Sequence, residues 1–158
     1  MYSSLSPQFA AQPVPLGEAP VWLQYLSGQV RAGFPSPAED LGAQRIDLAS
    51  ILIRHPQATF LLRARGLSMT GAGIFDGDLL VVDRAERPYS GDIVVAVIDE
   101  EFTCKVLRNR GRQMRLEALN PTFPDIVPRE GQTVFIWGVV VSCVKLFTRR
   151  PQTTRRGK

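Results

Sequence analysis

The chain has 158 residues, a formal net charge of +4 and a sequence pI of about 9.5. This length predicts one domain, and apolar and charged fractions of 44% and 22% exclude a disordered or fibrous protein. No stretch reaches the roughly 18 apolar residues of a membrane-spanning helix, and the first residues do not resemble a secretory signal. We therefore expect a cytoplasmic protein with no membrane partner.

The positive charge of the chain lies mainly at its C-terminus. Residues 148–158 contain five Lys/Arg side chains and no acid, so the other residues hold 14 basic and 15 acidic side chains. We expect a basic, disordered tail over 148–158 and a nearly neutral folded body. Only three of the 19 basic residues are lysine. Because a buried lysine can lose its proton whereas arginine cannot, a lysine inside the fold is of chemical interest.

The first part of the chain, residues 1–46, differs from the rest in composition. It contains six prolines and few periodic apolar positions, apart from one apolar patch over 21–26. We interpret it as an extended arm with no core of its own, which can dock through Trp22 and Leu26. Residues 47–147 would then form the folded domain.

A short helix is predicted at the start of that domain, where Asp47 can cap residues 48–55 and Pro56 ends them. Its inner face would carry Leu48, Ile51 and Leu52. After Pro56 the pattern changes to short, β-branched and apolar segments separated by turn residues, which predict strands. These strands lie at residues 58–63, 79–83, 93–98, 102–107, 113–119 and 133–147. Their short spacing favours a compact, mostly β domain, either a barrel or a folded sheet.

Lys105 lies in the middle of the predicted strand 102–107, which the acidic turn at 99–101 joins to the preceding strand in a hairpin. Strand alternation places it on the same side as Thr103 and Leu107. Burial there would lower the pKa of the amine and make Lys105 a usable general base near neutral pH. The alternative is an edge-strand lysine that extends its ammonium group to water.

A loop with three glycines, at residues 65–73, places Ser68 between two predicted strands. The glycines allow sharp turns and leave amide N–H groups pointing outward, which a nucleophilic serine needs together with a base. A Ser-His-Asp triad would have to use His55, the only histidine, whereas a Ser-Lys dyad would use Lys105. An ordinary connecting loop is the alternative interpretation.

Residues that bind transition metals are scarce in the sequence. Cys104 and Cys143 are the only cysteines and His55 is the only histidine, so a zinc site of the usual cysteine and histidine kind cannot be assembled. We expect two buried, reduced thiols, as in other cytosolic proteins. We expect neither a metal nor a cofactor.

Several segments, in their order and spacing, closely resemble the LexA/UmuD family of self-cleaving serine-lysine peptidases. They lie at residues 32–40 (AGFPSPAED), 44–48 (QRIDL), 66–69 (GLSM), 76–79 (DGDL) and 101–105 (EFTCK). The resemblance is to UmuD proteins, accessory subunits of bacterial error-prone polymerases, and covers roughly residues 30–147. It implies a compact β catalytic domain with one short helix and an extended N-terminal arm.

The resemblance also implies an activity and the residues that carry it. Ser68 would be the nucleophile, Lys105 the general base, and the bond between Ala32 and Gly33 the one that is cleaved. UmuD proteins commonly have cysteine before this glycine, whereas alanine is the form seen in LexA. The RecA–single-stranded DNA filament would stimulate cleavage during the SOS response to DNA damage. The product would be a homodimer that serves a UmuC-type translesion polymerase.

Other functions remain open on the sequence alone. The protein could be a non-cleaving interaction module of the same fold, or a peptidase that cleaves other proteins. It could also be a LexA-type regulator without a DNA-binding domain. Only 32 residues precede Gly33, too few for an independent core without a metal or disulfides, so we expect no sequence-specific DNA binding.

Overall fold

A computed structural model describes residues 22–26, 43–111 and 113–147 of the protein. This part of the chain is mostly β, as the sequence predicts, with one short α-helix, α1, over Leu48–Leu52 and two 3₁₀ turns, Pro56–Ala58 and Thr70–Ala72. The strands are β1 Trp22–Leu26, β2 Ala43–Asp47, β3 Thr59–Arg63, β4 Leu79–Asp83, β5 Ile93–Ile98, β6 Glu101–Arg110, β7 Gln113–Glu117 and β8 Val134–Val144. None of the helices described could reach across a membrane.

The strands form two antiparallel sheets. β1 pairs with β2, and the other six strands form one sheet in the order β3-β4-β8-β5-β6-β7. All six strands predicted after Pro56 are present, two of them with the predicted bounds and four with ends that differ by up to three residues. β3 and β7 are the edge strands, and β7 pairs with β6 only from Val106 onward.

Strand β5 is buried on both of its faces, which explains its uninterrupted apolar sequence, IVVAVI. Successive side chains of a strand point to opposite faces. Val95 and Val97 join one core cluster, which also contains the buried Met69, whereas Val94 and Ala96 join a second. The sheet therefore carries apolar packing on both sides, and the first cluster underlies the candidate site.

Strand β8 contains two bulges, where its pairing skips Val141 opposite β4 and Trp137 opposite β5. Bulges bend a strand and increase its local twist. Gly138 lies beside the second bulge, and a Cβ there would be 2.7 Å from Val82 Cγ1, so the close approach of β8 to β4 requires glycine. The sheet curls enough that β3 and β6, its first and fifth strands, line one cleft.

The helix is shorter than predicted. The Asp47 side chain caps it as expected, accepting a hydrogen bond from the Ala49 N–H at 3.2 Å, but the chain is already extended at Ile53. The prediction that Leu48, Ile51 and Leu52 form a buried inner face is wrong, because the helix buries none of its residues. Five residues make little more than one turn, which is too short to present an amphipathic face.

The arm contains strand structure that the sequence analysis missed. β1 lies in the apolar patch and pairs with β2, which runs across residue 46, where we placed the end of the arm. Trp22 and Leu26, the predicted docking residues, are both about half exposed. Most of the arm, with the predicted cleavage bond Ala32–Gly33, lies outside the described residues, as does the predicted tail over 148–158.

The hairpin between β5 and β6 is formed as predicted. Asp99 and Glu100 form its two-residue turn, and both have positive φ angles, of 48° and 73°. This is the pattern of a type I′ turn, whose twist matches that of the flanking strands. The hairpin places Lys105 opposite Val94, inside the sheet.

Candidate active site

Ser68 lies in the connection between β3 and β4, residues 64–78, which we call the serine turn. Gly66, at φ +85°, lies near its start, and its N–H donates to Asp76 Oδ1 at 2.7 Å. Met69 is buried in the first core cluster, and its carbonyl accepts the N–H groups of Ala72 and Ile74. The turn is thus anchored on both sides of Ser68, while Ser68 itself is only half-buried and faces the cleft.

Lys105 reaches Ser68 from β6. Its Nζ donates to Ser68 Oγ at 2.8 Å and to the Cys104 carbonyl at 3.0 Å, and the residue is only 7% exposed. The structure therefore brings together the two residues that the sequence singled out from separate segments, 37 positions apart. The edge-strand alternative, in which Lys105 extends to water, does not describe this side chain.

The electrostatic setting of Lys105 favours its neutral form. Burial lowers the pKa of Lys105 from its ordinary 10.5, and no ion pair among the described residues involves it. The other lysine in this part of the chain, Lys145, pairs with Asp78 and lowers the pKa of that carboxyl through their hydrogen bond. A neutral amine at hydrogen-bond distance from a hydroxyl can accept its proton, which is the requirement for a serine nucleophile.

A cleft of about 350 Å³ surrounds the pair. Its walls come from the end of β3, the Ser68 turn and the first half of β6, over apolar residues of the first core cluster. The side chains that line it are Leu62, Arg63, Ala64, Arg65, Ser68, Met69, Ile74, Leu80, Val95, Phe102, Thr103, Cys104 and Lys105, with Gly66. This volume is within the range of small-molecule ligand sites.

Both cysteines are free thiols and are partly buried. Burial raises the pKa of Cys104 to about 11 and also raises the pKa of Cys143. Cys104 therefore keeps its proton near neutral pH, although it lines the cleft beside Lys105. A competing cysteine nucleophile is disfavoured on these grounds.

The structure does not bring His55 to the serine. Its Nδ1 lies 2.7 Å from Oδ2 of the fully buried Asp83, at the end of β4, and His55 does not line the cleft. Ligand atoms of His55, Asp83 and Glu86 lie within 4.8 Å of one another, the one such group found in the described residues. The His55–Asp83 hydrogen bond and an Arg54–Glu86 ion pair of 3.5 Å already engage these side chains, and we assign no metal here.

The loop that follows β7 also contacts the serine turn, which the sequence did not predict. The Gly71 N–H donates to the Leu119 carbonyl at 2.6 Å, and Asn120 Nδ2 donates to the Leu67 carbonyl at 2.8 Å. These contacts hold the serine turn on either side of Ser68. The Asn-Pro dipeptide at 120–121 predicts a turn, but nothing local in the sequence relates it to residues 50 positions away.

Comparison with known proteins gives a consistent result. The profile of the family described as Peptidase S24-like matches residues 24–141. Protein ImpA of Escherichia coli is 51% identical over 116 residues, 72% of this chain and 77% of that protein. Protein MucA of Escherichia coli is 45% identical over 122 residues, 77% of this chain and 80% of that protein. A LexA repressor of Dechloromonas aromatica is 46% identical over 121 residues, 76% of this chain and 60% of that protein.

Proposed function

The chain belongs to the Peptidase S24-like family as a UmuD-like protein, and on that basis we propose that it cleaves its own arm between Ala32 and Gly33. The observation that carries this proposal is the 2.8 Å hydrogen bond between Lys105 Nζ and Ser68 Oγ in a cleft. The scissile bond itself lies outside the described residues.

The proposed reaction is an acyl transfer followed by hydrolysis. Neutral Lys105 takes the proton of Ser68 as the serine oxygen attacks the Ala32 carbonyl carbon. The Ala32–Gly33 C–N bond then breaks, and Lys105 returns the proton to the Gly33 nitrogen. Water then attacks the serine ester while Lys105 takes its proton. Lys105 passes this proton to the Ser68 oxygen as residues 1–32 are released.

Backbone amides beside the nucleophile support the proposal. In the described part of the chain, the N–H groups of Ser68 and Met69 donate to no backbone or side-chain acceptor. Amides left free at a nucleophile can donate to the oxyanion of a tetrahedral intermediate. Removing one such donor typically slows an enzyme by about 10²- to 10³-fold, so this contribution would be large.

Among the described strands none pairs with the outer edge of β3, and this edge offers a way to hold the substrate. Ala64 N–H donates to the Asp78 carbonyl, and Arg84 N–H donates to the Ala58 carbonyl. Because antiparallel pairing alternates, the backbone groups of Leu61 and Arg63 then point away from β4, toward the open edge. An extended peptide can add to such an edge through main-chain hydrogen bonds.

We place this cleavage in bacterial SOS mutagenesis. Contact with the RecA–single-stranded DNA filament would stimulate it in the cytoplasm, and residues 33–158 would then form a homodimer that serves a UmuC-type translesion polymerase. Loss of the arm removes one surface and exposes another, so cleavage acts as a switch.

The first test is the conversion of the purified full chain to residues 33–158. The protein is incubated at alkaline pH, or with RecA, ATP and single-stranded DNA, and the product is detected by intact mass. Ser68→Ala and Lys105→Ala should each stop the conversion. Lys145→Ala and Ser142→Ala are matched controls outside the cleft, and both should still convert. A truncated product from either cleft variant would refute the dyad.

The pH profile of the wild-type rate tests the role of the lysine. Because burial lowers the pKa of Lys105, the rate should rise with pH and level off below 10.5. A flat profile would contradict a lysine base. An intact chain that still binds the polymerase under activating conditions would favour the interaction module, and cleavage of unrelated peptides would favour a general peptidase.

A further inference from the structure

The two residues of the proposed dyad belong to different parts of the sheet. Ser68 lies in the turn between β3 and β4, whereas Lys105 lies on β6, four strands away in sheet order. A hydrogen bond of 2.8 Å between them requires something that holds one part against the other. The first core cluster, which contains Met69 and Val106, packs the two parts together, and the loop over residues 118–126 adds hydrogen bonds to the serine turn.

This loop forms two hydrogen bonds with the serine turn. The Leu119 carbonyl accepts the Gly71 N–H at 2.6 Å, and Asn120 Nδ2 donates to the Leu67 carbonyl at 2.8 Å. Leu67 immediately precedes Ser68. The Asn120 amide therefore fixes the peptide group that leads into the serine and carries its N–H, one of the free amides described above.

The loop is itself held firmly. Leu116 and Ile126 exchange two backbone hydrogen bonds of 2.9 Å across its base. Within it, the Asn120 Oδ1 accepts the Thr122 N–H at 3.0 Å. The side-chain amide of Asn120 is thus bonded through both its oxygen and its nitrogen, so its orientation toward Leu67 is fixed.

β6 and β7 also pair as a hairpin, which carries Lys105 on β6 and leads from β7 into this loop. Val106, the next residue on β6, pairs with Glu117 at the end of β7, and Asn120 follows three residues later. We propose that Asn120 is a positioning residue, which sets the distance between Ser68 and Lys105 by tying the serine turn to the hairpin that bears the lysine. This inference rests on the proposed self-cleavage.

The expected effect follows from the geometry. Without the Asn120 donor, the Leu67 carbonyl loses its link to the hairpin, and the exposed part of the serine turn can shift relative to Lys105. A displacement of about 1 Å in a reacting group costs on the order of 10²-fold in rate. The burial of Lys105 does not depend on this bond, so its titration should not move.

The test compares Asn120→Asp and Asn120→Ala with Asn109→Ala in the full-length chain. Asn120→Asp keeps an oxygen for the Thr122 N–H but loses the donor to Leu67. Asn109 is an exposed asparagine on β6, and its side chain forms no hydrogen bond in the described structure. Each protein is measured for self-cleavage across pH, for Ser68 labelling by a fluorophosphonate, and for urea unfolding.

We expect both Asn120 variants to cleave more slowly by about 10- to 10²-fold at every pH, with the midpoint of the pH profile unchanged. Ser68 labelling should slow in parallel, and Asn109→Ala should behave as wild type. Rates equal to wild type in both Asn120 variants would overturn the inference. So would a loss that lower temperature restores together with stability, since that would show destabilisation alone.

The outcomes also separate this inference from the proposed function. A wild-type chain that does not cleave itself, yet labels faster at Ser68 than the Asn120 variants, would refute self-cleavage and support the positioning role. A wild-type chain that neither cleaves nor labels would refute both. A shifted pH midpoint in the Asn120 variants would show that Asn120 acts on the lysine instead, and would overturn the positioning of the serine turn.

Discussion

Replacement of Gly71 by alanine tests the contact between the serine turn and the loop after β7. A Cβ at this position would lie 2.4 Å from the Leu119 carbonyl oxygen and 3.2 Å from its carbon. Ordinary contact begins near 3.4 Å, so the two segments must separate by about 1 Å. The 2.6 Å hydrogen bond between them would then exceed normal hydrogen-bond length.

The magnitude follows from these distances. Leaving the Leu119 carbonyl without its partner costs about 1–3 kcal/mol, and forcing an extra methyl into a packed contact costs about as much again. We therefore expect Gly71→Ala to lower the free energy of unfolding by about 2–6 kcal/mol. The same shift of about 1 Å, passed to Ser68, should slow self-cleavage on the order of 10²-fold.

Urea unfolding, followed by tryptophan fluorescence, measures the first effect, and intact mass at alkaline pH measures the second. Gly73→Asn is the matched control in the same turn. A Cβ added at Gly73 would have nothing within 4 Å, and asparagine tolerates the φ of +75° there. The control should lose only about 1 kcal/mol and cleave near the wild-type rate. A Gly71→Ala protein that matches this control in both measurements would refute the reasoning.

Three further predictions concern the lysine, the second core and the hairpin turn. Because burial lowers the pKa of Lys105, the native state holds that proton more weakly than the unfolded state, so the free energy of unfolding of wild type relative to Lys105→Met should rise as pH increases toward 10.5. Urea unfolding across that range checks this, and a difference that falls with pH would contradict it. Leu116→Ala should cost about 2–5 kcal/mol in the same assay, since Leu116 is fully buried in the second cluster, and a loss under 1 kcal/mol would contradict the packing. Glu100→Gly should stabilise the protein by up to about 1 kcal/mol, because φ of 73° suits glycine. Asp99→Gly should not, since the Asp99 carboxylate accepts hydrogen bonds from Gln132 and Thr133, and equal gains in thermal melting would refute this distinction.

The sequence predicted the large sheet well because its signals are local. Period-two alternation, apolar runs such as 93–98 and turn residues such as Asp99 each act over a few positions, and these decide which segments become strands. The face of α1 was predicted wrongly because only one turn of helix forms, and that depends on where Ile53 leaves the helix. β1 was missed because its five residues lack alternation and pair with a partner 17 or more positions away.

In the candidate site too, the residues with a local sequence signal could be predicted and those without one could not. Ser68 and Lys105 could be singled out from residue type, neighbouring glycines and family resemblance, and their 2.8 Å contact depends on the sheet order. Asn120 carries no comparable local signal. Its contact with Leu67 depends on the register in which β7 pairs with β6 and on the path of the loop that follows β7. No short segment of sequence determines a long-range register of this kind.

Strand β8 joins the two parts of the sheet that form the cleft without entering the cleft itself. It pairs with β4, which follows the serine turn, and with β5, which leads into the lysine hairpin, yet none of its residues lines the cleft. Removing Val141 or Trp137 would restore a regular ladder and keep the alternation of the remaining residues. It would also remove the bend that the bulge gives the strand, and with Trp137 a buried side chain of the first core cluster, so that the walls of the cleft would lose their present positions. Natural variants of this protein should therefore exchange side chains in β8 freely at its exposed positions. Insertions and deletions in β8 should abolish the proposed self-cleavage although they leave Ser68 and Lys105 unchanged.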